Sequence, residues 1–267
     1  MAMRKKKKQF PVVAFAGLGL VVFGCSLASA HPPRIELGQA NIAPGVLHWF
    51  GTDHLGRDLF ALIWSGGRVS LAIGFLGALV SGIVGIVVGT TCAFSSSKVD
   101  ALLCKGMEIV LSVPSLLLVV LIQSLGGEGS VWSLALVIGL TSWIPLALVV
   151  RAEVQTLRRE PFVQAAWAMG AGPFYLLRKH LFPNFFPSIA YMLVMSVRDA
   201  IVFESTLSFM GLGIGFERVS WGSLLSMADQ AFLAGTWWMI VVPGVFLVLV
   251  MTCLSDLGEF MRRRWNV

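Results

Sequence analysis

Apolar residues form six long runs along the chain, separated by segments that carry most of the charged residues. About twenty apolar residues are needed for an α-helix to cross a bilayer. The pattern therefore predicts an all-α, polytopic membrane protein with six transmembrane helices. The predicted spans are 11–29, 69–94, 109–125 with a bend at Pro114, 131–150 with Pro145 inside it, 186–213 and 237–257.

The polar segments divide the chain around these spans. We predict four units: a cytoplasmic tail with the first helix at 1–30, an external loop at 31–68, a core of five spans at 69–260 that includes an inner loop at 151–185, and a cytoplasmic tail at 261–267. Residues 95–108 are predicted as a short cytoplasmic turn. Most of the twenty Lys and Arg residues then fall on one side of the membrane, which places both termini in the cytoplasm.

The first run also has the features of a secretory signal peptide. A basic start at residues 4–8 precedes an apolar middle and the small residues Ala28-Ser29-Ala30. Cleavage of this segment is therefore an alternative to a retained first span.

Composition excludes an ordinary soluble domain, since 57% of the 267 residues are hydrophobic and 13% are charged. The mean hydropathy is +0.83. The net charge of +6 indicates basic loops and not nucleic acid, because no basic patch carries interleaved aromatic residues. The four cysteines have neither CxxC nor metal-ligand spacing, so we predict that they pack against apolar side chains: Cys25, Cys92, Cys104 and Cys253.

Residues 160–184, here called the docking element, lie between two apolar runs and still have a helical pattern. Pro161 suits the first position of a helix, and Gly170 supplies a left-handed stop. Pro173 starts a second helix and Pro183 ends it. Two short helices are predicted: 162–169 and 174–181.

Small residues in the docking element, Ala165, Ala166 and Gly170, would let another protein approach its surface closely. Four basic residues in or beside it are expected to keep it in the cytoplasm: Arg158, Arg159, Arg178 and Lys179.

The external loop contains the string FGTDHLGRD at residues 50–58. Asp53 can cap a short helix whose Arg57 and Asp58 lie at the membrane surface. The loop's histidines have no regular metal spacing, so we predict solvated side chains and not a zinc or nickel site: His31, His48 and His54.

The fifth span carries ionisable residues, which are costly at membrane depth unless they are paired or wet. Glu204, Ser208 and Gly211 recur at helical spacing, so we predict that this face lies toward a partner subunit or a translocation path. Arg198 either pairs with an acid such as Asp199 or contacts substrate directly.

Three strings resemble membrane subunits of binding-protein-dependent ABC importers. The docking element, with Gln164-Ala165-Ala166, Gly170 and the run LFPN that contains Pro183, resembles that family's EAA loop. Gln164 stands where the family usually has Glu. Residues 50–58 resemble the string GTDxLGRD of the family's peptide and nickel branch, and residues 203–213 resemble the family's string ESxLSFLGLG. The resemblance covers residues 49–260.

The resemblance implies the type I importer permease fold, in which the docking element is the coupling helix of the translocation path. Its expected partners are a homologous second permease, two ATP-binding subunits, an external solute-binding protein and the lipid bilayer. The sequence contains no GxxxxGK[ST] loop, so we expect no ATPase activity and no cofactor in this chain. ATP and Mg²⁺ would be bound by the partner ATPases.

Two other classes fit the sequence less well. A secondary transporter would show an internal repeat, and none is seen in this sequence. An intramembrane enzyme would show catalytic groups on facing spans, whereas the acidic residues here are scattered. The resemblance favours import of dipeptides or oligopeptides, with nickel or a metal chelate as the alternative substrate.

Overall fold

The computed structural model describes residues 12–28, 33–125, 129–215 and 218–265. The N-terminal basic run, His31 and the expected signal-peptide cleavage site at Ala28-Ser29-Ala30 lie wholly or partly outside these ranges. Twelve α-helices are found in the described ranges: α1 Val12–Leu27, α2 Leu59–Phe94, α3 Ser97–Leu111, α4 Ser115–Leu125, α5 Val131–Thr141, α6 Ile144–Leu157, α7 Pro161–Ala168, α8 Pro173–Leu176, α9 Phe182–Phe209, α10 Trp221–Leu225, α11 Ala228–Leu233 and α12 Trp238–Trp265.

Three helical stretches among the described residues are long and apolar enough to cross a membrane. They are Leu59–Phe94, Pro173–Phe209 and Trp238–Arg264. Two bent helix pairs also qualify when each pair is taken together, and α1 is a shorter apolar helix. Each of the six predicted spans therefore has a helical counterpart.

Two predicted spans are broken. The helices α3 and α4 meet at 81° on either side of Pro114, and α5 and α6 meet at 47° just before Pro145. A proline lacks the N–H that would continue the bonding of the preceding turn, so each break follows from the sequence. The predicted turn at 95–108 is wrong, because most of it forms α3.

The second span begins earlier than predicted. The Asp58 side chain accepts a hydrogen bond from Phe60 N and caps α2, so the helix starts at Leu59 and not at Val69. Its 36 residues span about 54 Å at 1.5 Å per residue. The last span is also longer than predicted, since α12 continues through most of the expected C-terminal tail.

The central helix of the chain is α2, which packs against α5, α6 and α9, while α12 packs on α9 and α1. Small residues allow the close approach on one face of α2. An added Cβ at Gly85 would lie 2.5 Å from Leu146 of α6. Ser81 on the same face donates a hydrogen bond to the Ser142 carbonyl between α5 and α6.

Candidate functional site

The docking element begins with the predicted short helix and turn. Helix α7 has Pro161 at its first position, and Gly170 follows its end with a φ of 88°. The space around Gly170 is open, so its left-handed backbone and not crowding makes glycine favourable there.

The prediction that Pro183 ends the second helix is wrong. Helix α8, a π-helical turn at Leu177–Leu181 and α9 form one continuous helix, Pro173–Phe209. In the π turn the Phe182 N–H bonds to the Leu177 carbonyl, five residues back. The extra residue changes the bonding register next to Pro183, so the ring is accommodated without a break. The second half of the docking element, from Pro173, is thus continuous with α9, and the turn at Gly170 separates α7 from it.

Helix α7 exposes only part of the small-residue surface that was predicted for docking. Val163 and Ala166 are buried, with exposures of 1% and 5%. Gln164 and Ala165 are exposed. Ala166 is therefore part of the inward face and not of the docking surface.

The outward surface of the docking element carries bulky apolar side chains that the sequence reasoning missed. Met169 and Phe174 are 82% and 75% exposed. Phe162, Trp167 and Tyr175 are also exposed. Exposed apolar side chains in one small region are typical of a protein interface. The spacing of Val163 and Ala166 on the buried face could have shown which residues point outward.

An apolar cluster packs against the buried face of α7 and anchors the docking element. Val163 and Ala166 pack with side chains from α2, α6, α8, the π turn and α9. The other buried members are Ala93, Leu146, Val150, Val154, Leu176, Leu181, Phe185 and Ile189.

An ion pair ties α6 to α3 near the docking element. Arg151 donates to both carboxylate oxygens of Asp100, at 2.6 and 2.5 Å. Gln155 adds a third contact to the same carboxylate at 3.3 Å. A bidentate geometry of this kind fixes the relative orientation of the two helices.

The external segment is a compact turn and not the capped helix that was predicted. The carboxylate of Asp53 accepts from Leu55 N at 2.9 Å, from Arg57 N at 2.8 Å and from Arg57 Nε at 2.7 Å. Asp53 is fully buried and Arg57 is 7% exposed. The helix cap is supplied by Asp58 instead.

This turn also holds the start of α12. The Thr52 carbonyl accepts a hydrogen bond from Trp238 Nε1 at 3.1 Å. Residues 50–58 therefore fix the first turns of α2 and α12 to one another.

The prediction of solvated histidines is wrong for His48. Its side chain is 19% exposed, with Nε2 2.9 Å from Gln39 Oε1 and Nδ1 3.5 Å from Asp58 Oδ2. Within the described ranges, no group of three or more His, Cys, Asp or Glu residues is arranged to hold a metal ion.

Glu204 lies in a buried cluster of hydroxyl groups. Ser70 of α2 donates to Glu204 Oε2 and Ser208 donates to Oε1, both at 2.8 Å. Ser220 Oγ lies 3.5 Å from Ser208 Oγ, and Trp221 N donates to Ser70 Oγ at 3.2 Å. These contacts offset the cost of burying an acidic side chain at membrane depth. The cluster joins α2, α9 and α10.

The predicted face of α9 does not lie wholly toward a partner subunit or a translocation path. Glu204 and Ser208 are buried within their own chain. Sequence reasoning missed Ser70 and the closeness of Ser220, because neither spacing nor composition brings these residues to Glu204.

Arg198 and Asp199 lie on the surface of the chain. Their side chains are 35% and 51% exposed, and Arg198 Nη2 lies 2.7 Å from Asp199 Oδ1. Arg198 Nη1 is 3.4 Å from Ser255 Oγ on α12, where Thr252 and Asp256 are exposed. Charged groups at this depth face water or another protein and not lipid.

Residues 83–265 match the family described as binding-protein-dependent transport system inner membrane component. The chain belongs to this family. As a member, it is a permease component of an ABC importer and an inner membrane protein with several spanning helices.

Curated relatives of this permease span nearly its whole length. It is 33% identical over 97% of its residues to the dipeptide transport system permease protein DppC of Bacillus subtilis, and it covers 82% of that protein. It is 32% identical over 94% of its residues to the oligopeptide permease OppC of the same organism, covering 84%. Identity to OppC of Haemophilus influenzae is 35%, with 80% of this chain and 68% of that protein covered.

The permease also has the fold of a solved importer. A chain of the MetNI methionine ABC transporter in an inward-facing conformation matches with a TM-score of 0.63 and 17% identity. The match covers 76% of this chain and 96% of that one.

Proposed function

We propose that this permease forms half of the translocation path of an ATP-driven importer of dipeptides or oligopeptides. The observation that carries the substrate class is its 33% identity, over 97% of its length, to a dipeptide permease. Its oligopeptide relatives support the same class.

The complex would contain a homologous second permease, two ATP-binding subunits and an external solute-binding protein. ATP and Mg²⁺ would be bound by the two ATP-binding subunits. The exposed apolar surface of the docking element supports contact with one of these subunits, because such a surface is stabilised when a partner covers it. Both termini would lie in the cytoplasm, which the basic residues around the docking element and at Arg262–Arg264 support.

The continuous helix Pro173–Phe209 supports a mechanism for coupling. Closure of the ATP-binding subunits would displace the docking element, and α9 would move with its second half because no break separates Pro173 from Phe209. Arg198 and Asp199 lie about 38 Å along this helix from its start at 1.5 Å per residue. Their exposed, charged surface would border the path between the two permeases.

The test is uptake by proteoliposomes that contain the reconstituted complex and its solute-binding protein. We expect ATP-dependent accumulation of labelled dipeptides or oligopeptides, and no accumulation of free nickel or a nickel chelate. Uptake of nickel without uptake of peptides would show that the substrate is the metal and not a peptide. ATP-independent uptake driven by an ion gradient would overturn the importer mechanism.

A further inference from the structure

Arg158 occupies an unusual position at the junction of three segments. It follows directly after α6, and its guanidinium carbon lies 4.8 Å from the centroid of the Phe94 ring and 5.4 Å from that of Trp167. The two rings are stacked at 6.4 Å with an interplanar angle of 22°. Arg158 also donates a hydrogen bond to the Ala93 carbonyl.

These contacts connect parts of the chain that are far apart in sequence. Ala93 and Phe94 are the last residues of α2, Arg158 directly follows α6, and Trp167 lies in α7 of the docking element. We propose that Arg158 is a positioning residue that locks the docking element to the end of α2, so that displacement of α7 is passed to α2 directly.

The chemistry of the side chain suits this role. A guanidinium group stays charged at any physiological pH, stacks on aromatic faces and donates several hydrogen bonds in a fixed plane. The Ala93 carbonyl belongs to the last turn of α2, where carbonyl groups lack helical partners and a positive charge is favourable. Lysine would keep the charge but lose the planar stacking.

The cations nearest to Arg158 in the sequence have different surroundings. The neighbouring cation on α6, Arg151, is engaged by Asp100. Arg159 is the next residue along the chain and is exposed. Arg158 itself is half-buried beside the two stacked rings, where a cation–π contact is stronger than in open water.

The lock would give the docking element a second route into the spanning helices. The first route runs through α9, which continues from the docking element. Helix α2 extends from Phe94 to its Asp58 cap and carries Ser70, the partner of Glu204 on α9. A displacement that reaches α2 and α9 together would move them as one body, held at both ends. This inference rests on the proposed function of the docking element.

The first test measures the lock itself and does not depend on transport. In a chain whose native cysteines are replaced, spin labels at Ser96→Cys and Met169→Cys report the distance between the end of α2 and the docking element. We expect one narrow distance distribution in the parent chain and in Arg159→Ala, the adjacent-arginine control. Arg158→Ala and Phe94→Leu should both broaden it, and Arg158→Lys should give an intermediate width. An unchanged distribution in Arg158→Ala would overturn the proposal.

The second test measures coupling in the reconstituted complex. We expect Arg158→Ala to assemble and insert, and to lower the number of substrate molecules transported per ATP hydrolysed by about 2- to 30-fold, the range expected for residues along a coupling linkage. Phe94→Leu, which lies away from the exposed docking surface, should act in the same direction. The double variant should be no worse than Arg158→Ala alone if the two residues act as a unit.

The outcomes separate this inference from the proposed function. Normal transport per ATP in Arg158→Ala, with substrate-dependent ATP hydrolysis in the parent complex, would reject the lock and leave the importer function standing. Equal losses of assembly in Arg158→Ala and Arg158→Lys would show a purely structural role and also reject it. Failure of the parent complex to couple ATP hydrolysis to uptake would reject the proposed function instead.

Discussion

The two ends of α2 are held by different chemistry. At the Phe94 end, the docking element rests on an apolar cluster and on Arg158, while its outward surface exposes large apolar side chains. At the Asp58 end, fully buried polar groups form a fixed network through Asp53, Thr52 and Trp238, and Glu204 adds a second network further along the helix. Apolar contacts have little directional preference and tolerate small displacements, whereas buried hydrogen bonds lose much of their energy when their geometry changes. The Phe94 end of α2 is therefore held by apolar and cation–π contacts, and the Asp58 end by buried hydrogen bonds.

The largest expected effect concerns which side of the membrane each end faces. In a cysteine-free background, Leu47→Cys and Leu233→Cys should react with an impermeant thiol reagent from outside only, and Met169→Cys from inside only. These three positions are 89%, 87% and 82% exposed. Labelling of Met169→Cys from outside would contradict the proposed orientation.

Ser220 is the matched control for that experiment. It is fully buried, so a cysteine placed there should react from neither side while the protein is folded. Reaction after unfolding in detergent would confirm that the thiol is present.

The next largest effect is expected from Glu204→Leu. The change removes the acceptor of Ser70 and Ser208 in a buried site, and each hydroxyl group left without a partner costs about 1–3 kcal/mol. We expect a lower melting temperature of the purified permease and weaker transport. Thermal unfolding in detergent and uptake in proteoliposomes would measure the two effects.

Two further variants sharpen this prediction. Glu204→Gln keeps an acceptor and should retain most of the stability. Val248→Ala changes a side chain that is 64% exposed and should have little effect. Equal stability of Glu204→Leu and the parent protein would show that the network does not hold the helices together.

A smaller cost in stability is expected for Gly170→Val, although its effect on coupling should be large. A side chain at a φ of 88° is strained by about 1–2 kcal/mol or more, so the turn of the docking element should change shape while the spanning helices still insert. Co-purification of the ATP-binding subunits and substrate-stimulated ATP hydrolysis would detect the change.

Gly172→Val provides the control for this substitution. Gly172 has an extended backbone, with a φ of −73° and a ψ of 161°, and an added Cβ meets nothing within 4 Å. Valine is compatible with that conformation, and with the position before a proline. Loss of coupling in both variants alike would show that bulk on the surface, and not the left-handed turn, is responsible.

The smallest effect is expected for Trp238→Phe. The change deletes the hydrogen bond from Nε1 to the Thr52 carbonyl but keeps an aromatic ring in the apolar cluster. One hydrogen bond contributes about 0.5–1.5 kcal/mol, so the melting temperature should fall by only a few degrees. Trp237→Phe, on a neighbouring side chain that is 59% exposed, should leave it unchanged. A fall as large as that of Glu204→Leu would show that Trp238 contributes far more than one hydrogen bond at this end of α2.

Features set by a few neighbouring residues could be read from the sequence. Runs of apolar residues located the spanning helices, and Pro161 and Gly170 located the start and the stop of the first docking helix. These outcomes depend on bilayer thickness and on the allowed backbone angles of single residues, so they need no knowledge of distant contacts.

Other features were decided only when the chain folded. Pro183 does not end its helix, because the π turn before it changes the hydrogen-bonding register. Ala166, a residue of the docking element, is buried because the other members of the apolar cluster cover it. The partners of Glu204, Arg158 and Trp238 are Ser70, Phe94 and Thr52, which lie 134, 64 and 186 positions away in the chain. Apolar patterning makes each span hydrophobic, but the packing of helix on helix selects which polar side chains meet.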